Sequence, residues 1–314
     1  MHFNKPSDLK ILFMGTPSLA ASVLKAIVDA GFDVVSAISQ EDKEQGRKRI
    51  LVPTPVKEVA LSHGIPVFQP HRIRKDHDFL KNLHYDIIVC VAYGQIVPDD
   101  VLSSCALGAF NLHGSLLPKY RGAAPMQRAI MNGETETGVC LMRMVSEMDA
   151  GGVYDSLSFP IGPSDNYTTI CQKMADAAGK LIVADLLRLA NGELKEAPQN
   201  PNEVTFAAKI LPNDEKLPLS LSAKETHDYI RALSAEPGAY AYFEDKKIKI
   251  LRSEMTSLKP SDEPGTIFAD KKHLYLNLKD GVLSLTNIQP EGKKPMDAPS
   301  FLNGHHIEEG SKLR

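Results

Sequence analysis

The chain has 314 residues, no tryptophan, only four cysteines and a formal net charge of just −3. No apolar run approaches the ~18 residues that a membrane-spanning helix requires, and the opening stretch MHFNKPSDLK lacks the hydrophobic region of a secretory signal. A cytoplasmic location without a membrane partner is therefore expected. Cys90, Cys105, Cys140 and Cys171 are scattered through apolar or helical runs with no C-x-x-C pair. That pattern excludes a disulfide framework or a cysteine metal site and leaves reduced, buried thiols. The charge balance, with a pI near 6.4, gives no basis for nucleic-acid binding through bulk charge, so any RNA contact must be local. A dinucleotide fingerprint is missing too. In FMGTPSLAASV, Gly15 alone remains of G-x-G-x-x-G, which argues against a nicotinamide-dependent dehydrogenase; a turn in which Pro17 opens a helix is a sufficient account.

What is present is ordinary globular material, 43% apolar and 24% charged, in a chain long enough for two domains. LKILFMG, FDVVSAIS, YDIIVCVAYG, GAFNLH and TGVCLMRMV read as strands. SLAASVLKAIVDAG and PTPVKEVALSHG carry helical spacing and stop at Gly31 and Gly64. Strands alternating with helices predict an α/β fold with a largely parallel sheet, closed by a long amphipathic helix from Asn166 to Ala190. The composition then shifts. Residues 193–211 are rich in Pro, Asn and charge without periodicity, as expected of a linker. Beyond them, one helical stretch and five short alternating segments predict a small closed or partly closed β-barrel. The expected division is 1–192, a linker over 193–211, and 212–314.

The least ordinary segment is GAFNLHGSLLPKYRGAAPMQRAI, residues 108–130. Asn111 and His113 lie two apart at a strand end, so their side chains share one face. The carboxyl edge of a parallel sheet is where open α/β proteins bind ligands. A hydrogen-bonded polar edge would account for an isolated N-x-H pair, but Asp149 follows the next long strand in the glycine-flanked SEMDAGGVYD. An amide, an imidazole and a carboxylate at neighbouring strand ends could stabilise an oxyanion and move a proton. No Ser or Cys nucleophile is clearly associated with them, which suits direct transfer of an acyl group to an amine. EDKEQGRKRILVPTP, with Arg47, Lys48 and Arg49 in succession, reads either as a solvated loop or as an arm that clamps phosphates.

FNLHGSLLPKYRGAAPMQRAI followed by ETGVCLMRMVSEMDAGGVY resembles the formyltransferases that use 10-formyltetrahydrofolate, in which an N-x-H-x-S-L-L-P segment and a later Asp form the active site. The resemblances extend over nearly the whole chain. They imply that Asn111, His113 and Asp149 are the catalytic set and that Ser115, Leu116, Leu117 and Pro118 line the folate site. They also imply 10-formyltetrahydrofolate as co-substrate, released as tetrahydrofolate, and no metal. The implied fold is a Rossmann-like domain followed by a smaller OB-like barrel, resembling an oligonucleotide-binding fold. The MGTP turn, the GRKRILVPTPVK loop and the NIQPEGKKPM segment are similar to family members that formylate methionine carried on initiator tRNA. In those, the loop after the second strand contacts the acceptor arm. Arg47 carries over as that contact, with Lys48 and Arg49 beside it, and the barrel is implied to touch tRNA as well. Residues 211–314 hold 15 Lys/Arg against 16 Asp/Glu, so contact there must rely on clusters such as Lys246-Lys247, Lys249 and Arg252, or Lys293-Lys294. A nucleotide-linked amino sugar is the alternative acceptor. A monomer is expected.

Overall fold

The run after Lys10 does not alternate because it is buried from Ile11 to Gly15, as in a strand covered on both faces. The computed structural model describes residues 2–46 and 49–314. It divides into two units by internal contacts: Met1–Gly122 with Glu136–Pro160 and Cys171–Phe206, and Ala123–Thr135 with Ile161–Ile170 and Ala207–Arg314.

In the first unit the chain forms β1 (Lys10–Gly15), α1 (Ser18–Asp29), β2 (Asp33–Ile38), a hairpin of β3 (Lys43–Gln45) and β4 (Ile50–Val52), α2 (Pro55–Ser62), β5 (Val67–Phe68), β6 (Ile87–Val91), the short α3 (Asp99–Leu102) and β7 (Ala109–His113). Gly15 sits where a Cβ would come within 2.7 Å of Ala20 Cβ and 2.9 Å of the Val91 carbonyl, so glycine lets α1 pack close to the strand end. Helix α2 starts where Thr54 accepts a hydrogen bond from the Lys57 N–H and Pro55 takes the first turn.

After α4 (Pro125–Met131), which belongs to the second unit, β8 (Glu136–Arg143) and β9 (Val153–Pro160) complete the sheet. Among the described residues its order is β5-β2-β1-β6-β7-β8-β9. The pairs from β5 to β7 are parallel, and those of β7 with β8 and β8 with β9 are antiparallel. The fold is thus α/β with a largely parallel sheet. Helix α5 (Tyr167–Ala190) follows, burying Met174, Ala178, Leu181, Ile182 and Leu186 at three- and four-residue spacing.

The second unit is a sheet of β10 (Ala239–Phe243), β11 (Lys246–Met255), β12 (Ile267–Ala269), β13 (Leu274–Asn277) and β14 (Val282–Pro290), in the order β10-β11-β14-β13-β12. β15 (Met296–Asp297) pairs on β14. All these pairings are antiparallel. Its core includes Ile230 and Leu233 of α6 (Ala223–Leu233), strand residues such as Ile250, Leu276 and Leu285, and Phe301 of α7 (Ala298–Gly304). This is the half-barrel expected of an OB-like domain. Helix α6 begins with a reciprocal cap: Ser222 Oγ accepts the Glu225 N–H, and Glu225 Oε2 accepts the Ser222 N–H at 2.9 Å. No helix among the described residues is long and apolar enough to cross a membrane.

Candidate active site

Asn111 and His113 occupy β7 between two strands of opposite direction. Asn111 faces Cys90 of β6 and Met142 of β8, and His113 faces Cys140 of β8. Both flanking thiols are buried, and burial pushes Cys90 up to about 12 and Cys140 up to about 11. They remain protonated at neutral pH, and neither supplies a thiolate nucleophile.

His113 is buried, and its Nε2 lies 2.9 Å from the Tyr120 carbonyl oxygen. A carbonyl can only accept, so Nε2 carries a proton and donates it there. That leaves Nδ1 directed at the Asp149 carboxylate, with Nδ1 to Oδ1 at 3.6 Å. This exceeds a direct hydrogen bond but is within ion-pairing range. The ring is thus oriented by the Tyr120 carbonyl, while Asp149 stands beside the other nitrogen.

Asp149 reaches this position by a longer route than the sequence conveys. Because β8 runs antiparallel to β7, its last residue, Arg143, pairs with Phe110, and the Met144 N–H donates to the Ala109 carbonyl. The loop after β8 therefore leaves beside the start of β7 and must fold back along the sheet to bring Asp149 to His113, so the two residues are not at adjoining strand ends. Two features make the return possible. Asp149 itself has φ +53°, the left-handed region that Asp tolerates better than most residues. Gly151 follows, where a Cβ would lie 2.0 Å from the Arg143 carbonyl oxygen. The carboxylate is then fixed from outside the loop: Asp149 Oδ2 accepts the Gly122 N–H at 2.8 Å.

Further residues that sequence reasoning did not select belong to this cluster. Arg121 is buried, donates Nε to Gln199 Oε1 at 3.0 Å and approaches Glu147 at 3.7 Å. Thr205 Oγ1 accepts the Tyr120 N–H at 2.8 Å, and the Thr205 carbonyl accepts the Arg121 N–H at 2.9 Å. Glu196 receives Arg143 Nε, the Tyr154 hydroxyl and the Gly152 N–H. Burial works against its ionisation, yet the hydrogen bonds from Tyr154 and Arg143 hold its carboxyl below the usual range. Gln199, Thr205 and Glu196 all come from residues 193–211, whose composition carried no sign of these contacts.

In the loop after His113, Ser115 is fully buried and its hydroxyl donates to the Lys119 carbonyl at 2.6 Å. Its side chain thus closes the turn, while Leu116, Leu117 and Pro118 remain partly exposed. Of the basic triplet, Arg47 and Lys48 lie outside the described residues. Arg49 is exposed at the foot of β4 and pairs with Glu44 of β3 at 2.9 Å. In the second unit Lys247 Nζ stands 3.7 Å from the centre of the Tyr240 ring, which meets Tyr242 edge-on at 5.7 Å. Lys249 is engaged elsewhere, donating to the Pro237 carbonyl at 2.7 Å. Among the described residues no group of three or more His, Cys, Asp or Glu is placed to hold a metal ion.

Residues 9–186 match the family Formyl transferase, and residues 209–306 match Formyl transferase, C-terminal domain. The chain belongs to the formyl transferase family. Curated relatives in the family include the methionyl-tRNA formyltransferase of Symbiobacterium thermophilum, 43% identical over 97% of this chain and 95% of that protein. That of Lactobacillus acidophilus is 38% identical over 96% of each. Among solved structures, an N-formyltransferase from Helicobacter canadensis, in complex with folinic acid and dTDP-3-aminofucose, superposes with a TM-score of 0.68. At 19% identity, over 90% of this chain and 99% of that one, this likeness shows the shared fold of the family.

Proposed function

We propose that this formyl transferase moves the formyl group of 10-formyltetrahydrofolate onto the α-amine of methionine esterified to initiator tRNA, in the cytoplasm, with Asn111, His113 and Asp149 as its catalytic residues. The observation that carries the site assignment is the His113–Asp149 pair, held by the Tyr120 carbonyl and the Gly122 N–H, with Asn111 on the same strand as His113. The acceptor follows the curated relatives, which carry that activity in their names over nearly the whole length of the chain.

The donor's formyl group hangs on an aryl-substituted nitrogen, N10, whose lone pair is partly withdrawn into the ring, so N10 leaves more readily than an ordinary amide nitrogen. In the exchange the amine nitrogen bonds to the formyl carbon and the carbon–N10 bond breaks; the amine loses one proton and N10 gains one. Asn111 offers its amide N–H to the oxygen on which negative charge develops, a type of contact worth about 3–4 kcal/mol in comparable oxyanion holes. His113 has Nε2 committed to Tyr120, so Nδ1 is the ring atom left to give or take a proton. Asp149, with Oδ2 held by Gly122 and Oδ1 toward Nδ1, accepts the amine proton directly or through a water and returns it by way of His113. Leu116, Leu117 and Pro118 offer apolar surface to the donor's rings, and Ser115 holds their turn in shape.

Arg47, Lys48 and Arg49, which follow β3 in the sequence, are assigned to the phosphates of the acceptor arm. The Tyr240–Tyr242–Lys247 face of the second unit pairs aromatic rings with a cation, the combination that suits RNA. The decisive experiment offers labelled 10-formyltetrahydrofolate together with charged initiator tRNA or an amino-sugar nucleotide. Label should enter the tRNA; label entering the sugar instead would overturn the acceptor assignment and leave the chemistry standing.

A further inference from the structure

The first unit contains an amide that ties both halves of the site together. Gln199 Nε2 donates to two carbonyls of the catalytic loop, that of Asp149 at 2.8 Å and that of Gly151 at 2.7 Å. Its Oε1 accepts Arg121 Nε at 3.0 Å. Both N–H groups and the oxygen of the side chain are thus in use, and only a carboxamide of this length and orientation satisfies all three partners.

The partners form a closed circuit. Arg121 lies between Tyr120, whose carbonyl accepts the His113 Nε2–H hydrogen bond, and Gly122, whose N–H holds the Asp149 carboxylate. Gln199 joins that segment back to the main chain of Asp149, which turns through φ +53°. A residue held in the left-handed region must be fixed by its surroundings, and Gln199 fixes it from a part of the chain 50 residues further on. Neighbouring bonds reinforce the attachment: the Val153 N–H donates to the Ala197 carbonyl and the Thr205 N–H to the Pro118 carbonyl.

We infer that Gln199 is a positioning residue: through Arg121 and the carbonyls of Asp149 and Gly151 it sets the Asp149 carboxylate against His113 for proton transfer. The inference rests on the catalytic assignment made above. The amide group of Gln199 is engaged entirely by protein partners, so its loss should appear in turnover and leave donor binding intact.

The test is a double-mutant cycle on the whole chain, measured as single-turnover formyl transfer with the donor KM determined in parallel. Gln199→Leu keeps the volume and removes every hydrogen bond. It is expected to lower the rate by roughly 30- to 100-fold, since small misplacements of reacting groups cost about that much, while the donor KM moves by less than about 3-fold. In an Asp149→Ala background the same change should cost less than about 2-fold, because the group it positions is already gone. Gln199→Glu covers the case in which the leucine variant fails to fold. It retains the Arg121 contact but presents an oxygen to two carbonyl oxygens, and should show the same rate loss with the same dependence on Asp149. A Gln199→Leu or Gln199→Glu enzyme with near-normal turnover overturns the inference. So does an equal loss in the presence and absence of Asp149, and both results leave the three-residue site standing. An Asp149→Ala enzyme with undiminished turnover removes the catalytic assignment itself, and this inference with it.

Discussion

The two units place their polar chemistry in opposite ways. In the first, His113, Ser115 and Arg121 are buried and Asp149 nearly so, and each is bonded to a partner distant in sequence or to its own tight turn. In the second, the candidate contacts are on the outward side of β10 and β11: exposed Tyr242 and half-buried Lys247 face each other, and Lys247 is braced against Tyr240. The contrast matches two kinds of task. Proton transfer and oxyanion stabilisation need groups fixed to a fraction of an ångström in a dry place. Binding a polyanion needs cations with reach that shed counterions.

The sharpest way to break this comparison is to truncate both regions alike. Asn111→Ala, His113→Ala and Asp149→Ala should each lower kcat by at least ~100-fold with little change in donor affinity, and the combined loss should fall far short of additive. Steady-state formylation with saturating tRNA measures this, and a near-normal His113→Ala enzyme would remove the pair from the chemistry.

A smaller effect, of a different kind, is expected at the hairpin. Arg47→Ala should raise the KM for tRNA markedly, and Lys48→Ala and Arg49→Ala more mildly, while donor binding is untouched. Each lost phosphate contact should reduce the slope of log affinity against log salt by up to ~0.9. Superimposable salt titrations for wild type and Arg47→Ala would exclude Arg47 from the interface.

On the barrel face, Lys247→Ala and Tyr240→Ala should weaken tRNA binding by ~3- to 10-fold, the scale of one stacking or cation–π contact. kcat at saturating tRNA should not change. Loss of kcat instead would erase the distinction between the two regions.

The smallest effect concerns pH and stability, and its sign differs between the units. Asp185 on α5 is pushed up by burial and then by the Asp155 carboxylate, despite its pairing with Arg188. A raised carboxyl contributes stability that is fully present below the ordinary aspartate range and lost as pH rises through the raised value. His227 on α6 is pushed down by burial and then by Arg231, with Nδ1 against Ser253 Oγ at 2.9 Å. Its contribution is present above the ordinary histidine range and lost as pH falls below it. Asp185→Asn should therefore raise the melting temperature at neutral pH, and His227→Gln should flatten the decline between pH 7 and pH 5. Calorimetry across that range checks both, and identical pH profiles for wild type and variants would show that neither group matters.

How far the sequence could be read follows from what is local. Strands β1, β2, β6 and β7 and helices α1, α2 and α5 announce themselves by apolar runs or helical spacing, because their burial repeats along the chain. β9 does not: it is an edge strand whose residues are half-buried or exposed, so Val153–Pro160 lacks the apolar signature. The β3–β4 hairpin is hidden for the same reason, with Ile50 and Leu51 exposed amid charge. Asn111 and His113 could be placed on one face by their spacing alone, whereas Gln199 could not be singled out, since nothing in APQNPNEV distinguishes it from a solvated amide.

By itself the sequence determined the alternation of strands and helices, the second unit of short strands, the lack of any paired cysteine motif, and the residue types available for formyl transfer. Each depends on near neighbours in the chain or on composition. Tertiary structure alone decided which nitrogen of His113 is left to move a proton, how the loop from an antiparallel strand folds back to set Asp149 beside it, and that residues 197–206 are bonded to the site. The physical reason is that these contacts join residues up to 87 positions apart, as the Thr205 N–H and the Pro118 carbonyl are. A hydrogen bond over such a distance leaves no period in the sequence, because its partners are brought together by the packing of every element between them.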